Sequence, residues 1–213
     1  MKKIIIFSAG SLSREILELI NFINQRKKIY EVVGFVDDKL FKTKSKLAGI
    51  KIYNSKKFPN KNIFGICGIM NPLMRSKVIK KEGKKIKFVN IVHPNVCIPK
   101  TFKMGRGNVI FGNVHISFDV KISNFTIISN FCDLGHNLIS GDYLTCMPGT
   151  IIGGNCTLGK NVFFGSGSVV HQNVNIGDNT HIGSRSYLTS DLKKNYAIIN
   201  YDQNNKQIIV SEM

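Results

Sequence analysis

Histidine, aspartate and glycine are the residues of this chain whose chemistry and spacing suggest a functional site. An imidazole that is neutral near pH 7 can accept a proton from an attacking nucleophile. An aspartate after a strand can hydrogen-bond the ribose or base of a nucleotide, and a glycine-containing loop before a helix can bind phosphate. The candidates here are five histidines, the Asp37-Asp38 pair and the loop around Gly10.

These residues must be positioned by the elements around them, and the strongest element signal is a six-residue repeat. Counting by six from Ile98 to Leu188, fourteen of sixteen positions carry a large aliphatic or aromatic side chain, Ser140 and Cys146 being the others. A period of six fits neither an α-helix nor a hairpin meander. It predicts short strands, three to an 18-residue triangular coil, with about five coils stacked into a β-solenoid.

The repeat places the histidines in different ways. His136 stands two positions after the repeat residue Leu134, which predicts that its side chain projects outward from the coil. No two histidines are 18 or 36 residues apart, so a zinc site like that of the γ-class carbonic anhydrases is not expected. The remaining histidines are predicted to be structural or surface residues: His93, His115, His171 and His181.

The first ninety residues show a different pattern, in which apolar strands alternate with amphipathic helices. That alternation is typical of a Rossmann-like parallel α/β sheet. We therefore predict a domain over residues 1–95, the repeat domain over 96–190 and a tail over 191–213. The predicted elements are strands at Lys3–Phe7, Glu31–Val36, Asn62–Ile69 and Phe88–Val92, a helix containing Ile16–Ile23, and a helix from Pro72 to about Lys81.

The loop after the first strand carries one glycine, Gly10, where a dinucleotide fingerprint has three. The residues alone therefore leave two interpretations of the Ser8–Ser13 segment, a nucleotide-binding loop or an ordinary turn between strand and helix.

Composition limits the classes of protein that the chain can form. It has 213 residues, 43% of them hydrophobic and 20% charged, which is typical of a globular protein and excludes disordered and collagen-like classes. No apolar window reaches the roughly 18–20 residues of a membrane span. The five cysteines include no Cys-x-x-Cys pair, so we expect reduced thiols in the protein core. No apolar signal-sequence region follows the basic start Met1-Lys2-Lys3, and we expect a cytoplasmic protein.

The formal net charge of +17 is concentrated in residues 1–97, which contain 21 basic and 6 acidic residues. These lysines lack the interleaved aromatic residues of a base-stacking surface, and we expect no nucleic-acid partner.

A small α/β domain followed by hexapeptide coils resembles the bacterial sugar acyltransferases of surface-glycan synthesis. The resemblance extends from about residue 3 to 190 and is strongest for UDP-4-amino-sugar N-acetyltransferases and sialic-acid O-acetyltransferases. It implies a left-handed parallel β-helix, acetyl-CoA as co-substrate with no metal, a nucleotide-sugar substrate and a homotrimer.

The resemblance also assigns roles to individual residues. His136, in a segment that leads to Pro148-Gly149, corresponds to the catalytic base. The implied nucleotide-sugar contacts are Gly10, Ser11, Leu12, Asp37, Asp38 and Gly68. The implied acetyl-CoA contacts are Thr145, Gly154, Ser166 and Ser184.

Two departures from the family pattern bear on the chemistry. Relatives often have an acidic residue directly after the histidine, whereas this chain has Asn137, and Asp133 is the alternative partner for the ring. The tail over residues 199–203 replaces a Gly-x-Pro-Ala segment near the cofactor. N-acetylation of an amino sugar is the predicted activity; the alternatives are O-acetylation of sialic acid or a related sugar, and a non-catalytic nucleotide-sugar-binding subunit.

Overall fold

The computed structural model describes residues 1–84, 86–201 and 207–211. The chain divides into two compact units. The first consists of Met1–His93 with Arg106–Asn108, and the second of Pro94–Gly105 with the chain from Val109 onward. Part of the atypical tail, residues 202–206, lies outside the described residues.

The described residues of the first unit form two α-helices and seven strands. The helices are α1 (Ser11–Arg26) and α2 (Pro72–Glu82), and a short 3-10 helix spans Leu40–Lys42. The strands are β1 (Lys2–Phe7), β2 (Tyr30–Val36), β3 (Lys46–Leu47), β4 (Ile50–Tyr53), β5 (Ile63–Cys67), β6 (Lys87–Phe88) and β7 (Ile91–Val92).

Strands β1 to β6 form one sheet in the order β3-β4-β2-β1-β5-β6. All its pairings are parallel except that of β3 with β4. Its central strand β1 is apolar from Ile4 to Phe7, and each of these side chains is at most 1% exposed. A strand covered on both faces needs such an uninterrupted apolar run. Helix α1 buries Ile16 and Ile20, which are one helical turn apart.

Two details of this sheet differ from the prediction. The β3–β4 hairpin was not expected, because Ala48 and Gly49 form its turn with positive φ angles of 48° and 75°, and alanine is an unusual residue there. The predicted strand over Phe88–Val92 is instead two short strands, β6 and β7.

The strands of the second unit are two residues long until the tail. They are β8 (Lys103–Met104), β9 (Val109–Ile110), β10 (His115–Ile116), β11 (Lys121–Ile122), β12 (Ile127–Ile128), β13 (Asp133–Leu134), β14 (Ile139–Ser140), β15 (Thr145–Cys146), β16 (Ile151–Ile152), β17 (Thr157–Leu158), β18 (Phe163–Phe164), β19 (Val169–Val170), β20 (Asn175–Ile176), β21 (His181–Ile182), β22 (Tyr187–Leu188), β23 (Tyr196–Tyr201) and β24 (Gln207–Ser211).

Every third strand stacks in parallel on the next coil, so the unit is a triangular parallel β-helix. One face has the order β10-β13-β16-β19-β22 and a second the order β20-β17-β14-β11-β8. The third runs from β9 through β12, β15, β18 and β21 to β23, where β24 pairs antiparallel. From β8 to β22, partners along a face are 18 residues apart, as in Leu134, Ile152 and Val170, whereas β21 and β23 pair residues 16 apart. This confirms the predicted period.

The repeat side chains fill the interior of the prism from Ile110 to Leu188, where each is at most 4% exposed. Ser140 and Cys146 are also buried, although they break the apolar pattern. Ile98 and Met104, which the repeat predicted as buried, are 43% and 36% exposed. Met104 lies on β8, at the edge of its sheet, and lacks a further coil on that side.

The corners of the prism need a residue with positive φ about once every six residues. Asparagine is the commonest choice, as in Asn137, Asn155 and Asn173 with φ of 57°, 58° and 64°. Asparagine tolerates this left-handed region better than most residues, because its short polar side chain can hydrogen-bond locally. The spaced asparagines were therefore a second sequence signal of the repeat, additional to the apolar one.

Four of the five cysteines are buried free thiols, whereas Cys97 is exposed and departs from the expected core role. Burial raises the pKa of Cys67 to about 12 and that of Cys132 to about 11. Within the part of the chain that the structure describes, neither helix is long and apolar enough to cross a membrane.

Replacement of a repeat residue inside the prism is expected to cost far more stability than replacement at its edge. Phe164→Ala removes a fully buried ring and should lower the free energy of unfolding by about 3–5 kcal/mol. Met104→Ala, at the same repeat position but exposed, should lower it by less than about 1 kcal/mol. Urea denaturation at one fixed protein concentration measures both, and equal losses would contradict the assigned burial.

Candidate active site at a corner of the prism

His136 lies at the corner that follows β13, and neighbouring coils fix its backbone on both sides. The carbonyl of His136 accepts a hydrogen bond from Asn155 N–H at 2.8 Å on the next coil. The N–H of Asn137 donates to the Phe118 carbonyl at 3.1 Å on the previous coil. The half-buried imidazole is thus held by three coils rather than by a flexible loop.

The imidazole of His136 lies between side-chain and backbone groups one coil away in each direction. The Phe118 ring is stacked on it, with centroids 5.2 Å apart and planes 6° apart. On the next coil Gly154 leaves room for the ring, since a Cβ there would lie only 2.5 Å from Cε1 and Nε2. Gly154 was predicted as a cofactor contact, and the structure brings it to the histidine.

The hydrogen-bond partner of His136 Nδ1 is Asn137, whose Nδ2 lies 3.1 Å away. Asp133 does not take this role, although it was the alternative partner. Its Oδ1 instead lies 2.9 Å from Nδ1 of His115, because residues 18 apart meet on the same face of the prism. Among the described residues, Asp133 makes no hydrogen bond with His136.

A backbone amide beside the imidazole is available to a ligand. Gly153 N–H donates to the Val170 carbonyl at 2.9 Å and is therefore already used. Gly154 N–H has no hydrogen-bond acceptor among the described residues, while the Gly154 carbonyl accepts from Asn173 N–H at 2.9 Å. An unused N–H next to a general base can stabilise negative charge that develops on an acyl oxygen.

The other three predicted acetyl-CoA contacts lie elsewhere on the prism. Thr145 is on β15 and is fully buried, so its side chain is closed to a ligand within one chain. Ser166 and Ser184 follow β18 and β21 and stand one coil apart at a different corner from His136. A single prism therefore does not gather all four residues around the histidine.

The first unit has its own cavity at the carboxyl ends of β1 and β2. It has a volume of about 220 Å³, and its lining includes Ser8, Asp38, Ser55 and Lys81. A neighbouring depression of about 430 Å³ contains Gly10 and shares Ser8, Asp37 and Lys39 with the cavity. Open α/β sheets bind ligands at this edge.

The two aspartates after β2 hold the loops of this cavity. Asp37 Oδ2 accepts from Ala9 N–H at 3.0 Å, and its Oδ1 accepts from the N–H groups of Lys39 and Leu40 at 3.0 and 2.9 Å. Asp38 accepts from the backbone N–H and the hydroxyl of Ser55, both at 2.7 Å. These bonds from Ser55 are the main cause of the lowered pKa of Asp38. Sequence reasoning missed Ser55, which no local motif indicates.

The remaining predicted nucleotide contacts differ in solvent exposure. Gly10 is the exposed N-cap of α1, and no side chain caps its helix end, so the N–H groups that begin at Ser11 are placed to meet an anion. The side chain of Leu12 is buried in the core, which leaves only its backbone.

Gly68 is buried under Ser13 and its carbonyl accepts from the Ser13 hydroxyl at 3.3 Å. A Cβ at Gly68 would collide with Ser13. Its observed role is therefore the close packing of α1 on the end of β5, and the predicted ligand contact stays a prediction.

A buried arginine that the sequence did not single out shapes the loop after β5. Arg75, on α2, is 1% exposed, and its Nη1 donates to the carbonyls of Ile69 and Met70 at 2.6 and 2.9 Å. Ile69 lines the cavity of the first unit, so Arg75 fixes one of its walls from within the core.

Comparisons with known proteins match both units. The PglD N-terminal domain model matches residues 3–81, and the model of six bacterial transferase hexapeptide repeats matches residues 155–190. No curated protein sequence matches the chain.

Solved structures match over almost the whole chain. A perosamine N-acetyltransferase from Caulobacter crescentus, in complex with CoA and GDP-perosamine, is 19% identical, with 99% of this chain and 97% of that chain covered and a TM-score of 0.87. The acetyltransferase domain of PglB from Neisseria gonorrhoeae, in complex with acetyl coenzyme A, is 17% identical, with coverages of 98% and 99% and a TM-score of 0.84. WeeI from Acinetobacter baumannii is 20% identical, with coverages of 97% and 99% and a TM-score of 0.82.

The solved structures confirm the predicted fold, a small Rossmann-like sheet followed by a left-handed parallel β-helix. The first unit matches the PglD N-terminal domain and the second contains the bacterial transferase hexapeptide repeats, the two parts that the resemblance to the bacterial sugar acyltransferases implied.

Replacement of Gly154 by alanine is expected to displace the His136 ring without unfolding the prism. The three nearest atoms to the added Cβ all belong to that ring, at 2.5–2.9 Å. A crystal structure, or the imidazole NMR signals of His136, would reveal the shift. In the matched variant Gly135→Ala the Cβ meets backbone atoms at 2.6 Å, so stability should fall instead. An unmoved ring in Gly154→Ala would contradict the described packing.

Proposed function

We propose that this protein transfers the acetyl group of acetyl-CoA to the amine of a nucleotide-linked amino sugar, with His136 as general base. The observation that carries the proposal is the packing of the His136 ring against Gly154, whose N–H has no acceptor among the described residues. The solved relatives of known activity support the substrate classes, since their complexes contain CoA, acetyl-CoA or GDP-perosamine.

The reaction requires one proton acceptor and one group that stabilises an oxyanion. The amine nitrogen attacks the thioester carbonyl carbon, a C–N bond forms, and the carbonyl oxygen gains negative charge. His136 Nε2 accepts the proton that the amine loses, while Gly154 N–H donates to the oxygen. The C–S bond then breaks, the sulfur leaves as thiolate and takes the proton from His136. The products are an amide and CoA thiol, with no net proton change.

The nucleotide part of the substrate is assigned to the first unit. The uncapped N-terminus of α1 places N–H groups and the positive end of the helix dipole where a diphosphate can bind. Lys39 adds positive charge to the cavity lining, whereas Lys81 is paired with Glu82 at 3.7 Å. Asp38 is held by Ser55 as an acceptor for ribose or base donors. A nucleotide sugar contains a diphosphate and a ribose that a free sugar lacks, so this arrangement favours a nucleotide-linked acceptor.

A homotrimer is the assembly that we assign to the active protein. The faces and corners of one prism carry exposed apolar side chains, including Phe131 at 66%, Tyr187 at 47% and Ile151 at 45%. The predicted cofactor residues Gly154 and Ser166 lie at different corners, and CoA bound between two prisms would meet one corner of each. Sedimentation should give a trimer at micromolar concentration, and a stable monomer would count against this arrangement.

We assign the reaction to the cytoplasm. The five cysteines are free in the structure, which suits a reducing compartment.

Removal of the base is expected to abolish most of the turnover. With acetyl-CoA and a panel of nucleotide amino sugars, His136→Ala should lower kcat/KM for thiol release by at least about 100-fold. The matched control His171→Ala removes an exposed imidazole whose one hydrogen-bond partner among the described residues is the Gln172 carbonyl, and its rate should match the wild type.

Three results would contradict the proposal in different ways. Equal rates in His136→Ala and wild type would remove the assigned base. Turnover of hydroxyl acceptors but not of amines would favour O-acetylation. Nucleotide-sugar binding without thiol release from any acceptor would favour a non-catalytic binding subunit.

A further inference from the structure

Asn137 belongs to a ladder of three asparagines that crosses three coils and ends on the imidazole of His136. Asn137 Nδ2 lies 3.0 Å from Asn155 Oδ1, and Asn155 Nδ2 lies 3.2 Å from Asn173 Oδ1. The same Asn137 Nδ2 lies 3.1 Å from Nδ1 of His136. An unbroken series of side-chain hydrogen bonds therefore joins His136 to a residue two coils away.

The backbone of the prism keeps these three side chains in register. Each asparagine has positive φ at its corner, and each N–H donates to a carbonyl on the previous coil, at 2.8–3.1 Å. A second ladder, Asn161–Asn179–Asn195, has bonds of 2.8 and 3.0 Å at another corner. Among the described residues, no histidine is hydrogen-bonded to this second ladder. It is therefore a matched reference for the ladder that ends on His136.

A carboxamide ladder has a direction, because each amide has a donor end and an acceptor end. In the orientation described, Asn137 Nδ2 donates to His136 Nδ1, so the neutral ring carries its proton on Nε2. That ring presents an N–H beside Gly154, where a general base needs a lone pair.

The opposite orientation gives the reactive tautomer. If Asn137 turns Oδ1 toward the ring, Nδ1 carries the proton and donates it to that oxygen, and Nε2 becomes an acceptor. Asn155 must then turn its Nδ2 toward Asn137, and Asn173 its Nδ2 toward Asn155. The nitrogen and oxygen of a carboxamide occupy nearly the same volume, so the reversal needs no change in the backbone.

We propose that the Asn137–Asn155–Asn173 ladder sets the tautomer of His136, and that its reversed direction is the one in which Nε2 accepts a proton. Asn155 and Asn173 are thus positioning residues, which act on the imidazole through Asn137. The tautomer follows from the ladder alone, whereas its effect on turnover rests on the proposed function.

Two substitutions that add the same charge one coil apart test the ladder by their opposite effects. Asn137→Asp can only accept a hydrogen bond, so it should place the proton on Nδ1. Asn155→Asp can only accept from Asn137 Nδ2, so it should hold Asn137 as a donor and keep the proton on Nε2. Aspartate is accepted at such corners, since Asp119 has φ of 56°. Asn173→Asp, one coil further, should act like Asn155→Asp. It replaces Asn155→Asp in the test if that variant folds poorly.

The measurements are the imidazole ¹⁵N chemical shifts of His136, at a pH where the ring is neutral, and the kinetics of thiol release. We expect the Nδ1–H tautomer and at least wild-type kcat in Asn137→Asp. Asn155→Asp should show the Nε2–H tautomer, kcat lower by about tenfold or more, and an unchanged KM for acetyl-CoA. Asn179→Asp, in the middle of the reference ladder, should change neither quantity.

The outcomes separate this inference from the proposed function. The same tautomer in Asn137→Asp and Asn155→Asp would overturn the ladder as the determinant. Opposite tautomers with equal kcat would overturn its role in turnover. Opposite tautomers in a protein that releases no thiol from acetyl-CoA would support the ladder and contradict the proposed acetyl transfer.

Discussion

The 18-residue register of the prism is the constraint on which the rest of the second unit depends. Parallel pairing at this spacing places residue n directly against residues n−18 and n+18. It therefore decides the neighbours of every outward side chain as well as the packing of the interior. Phe118, His136 and Gly154 meet for this reason alone, since they are remote in sequence and belong to successive coils.

The same register turns a local backbone requirement into a network. Each corner needs a residue that tolerates positive φ, and asparagine meets this need at a lower steric cost than most residues. Once the corners stack, the carboxamides come within hydrogen-bond distance of one another. A residue type selected for backbone conformation thereby acquires an influence on the histidine at the end of its ladder. Relatives often have an acidic residue directly after the catalytic histidine, where this chain has Asn137. Asn137 occupies one of these corners, so the need for positive φ accounts for an asparagine there.

The first unit obtains its site from a different principle, the convergence of loops at one edge of a parallel sheet. Asp37 and Asp38 hold their neighbouring loops through backbone N–H groups, and Arg75 holds the loop after β5 from inside the core. Such residues can be essential to a cavity without offering their side chains to a ligand. Gly68 illustrates the distinction, because its lack of a Cβ serves helix packing.

The sequence by itself determined the period of the solenoid, the Rossmann-like order of the first unit and the outward direction of His136, because these follow from local periodicity. Only the tertiary structure decided that Asp133 pairs with His115, that Thr145 is buried, and that Asn137 continues into a ladder. Those facts depend on contacts between coils, which no stretch of neighbouring residues encodes. The sequence was sufficient to identify His136 as the candidate base, but the stacking of the coils determines which groups surround its imidazole.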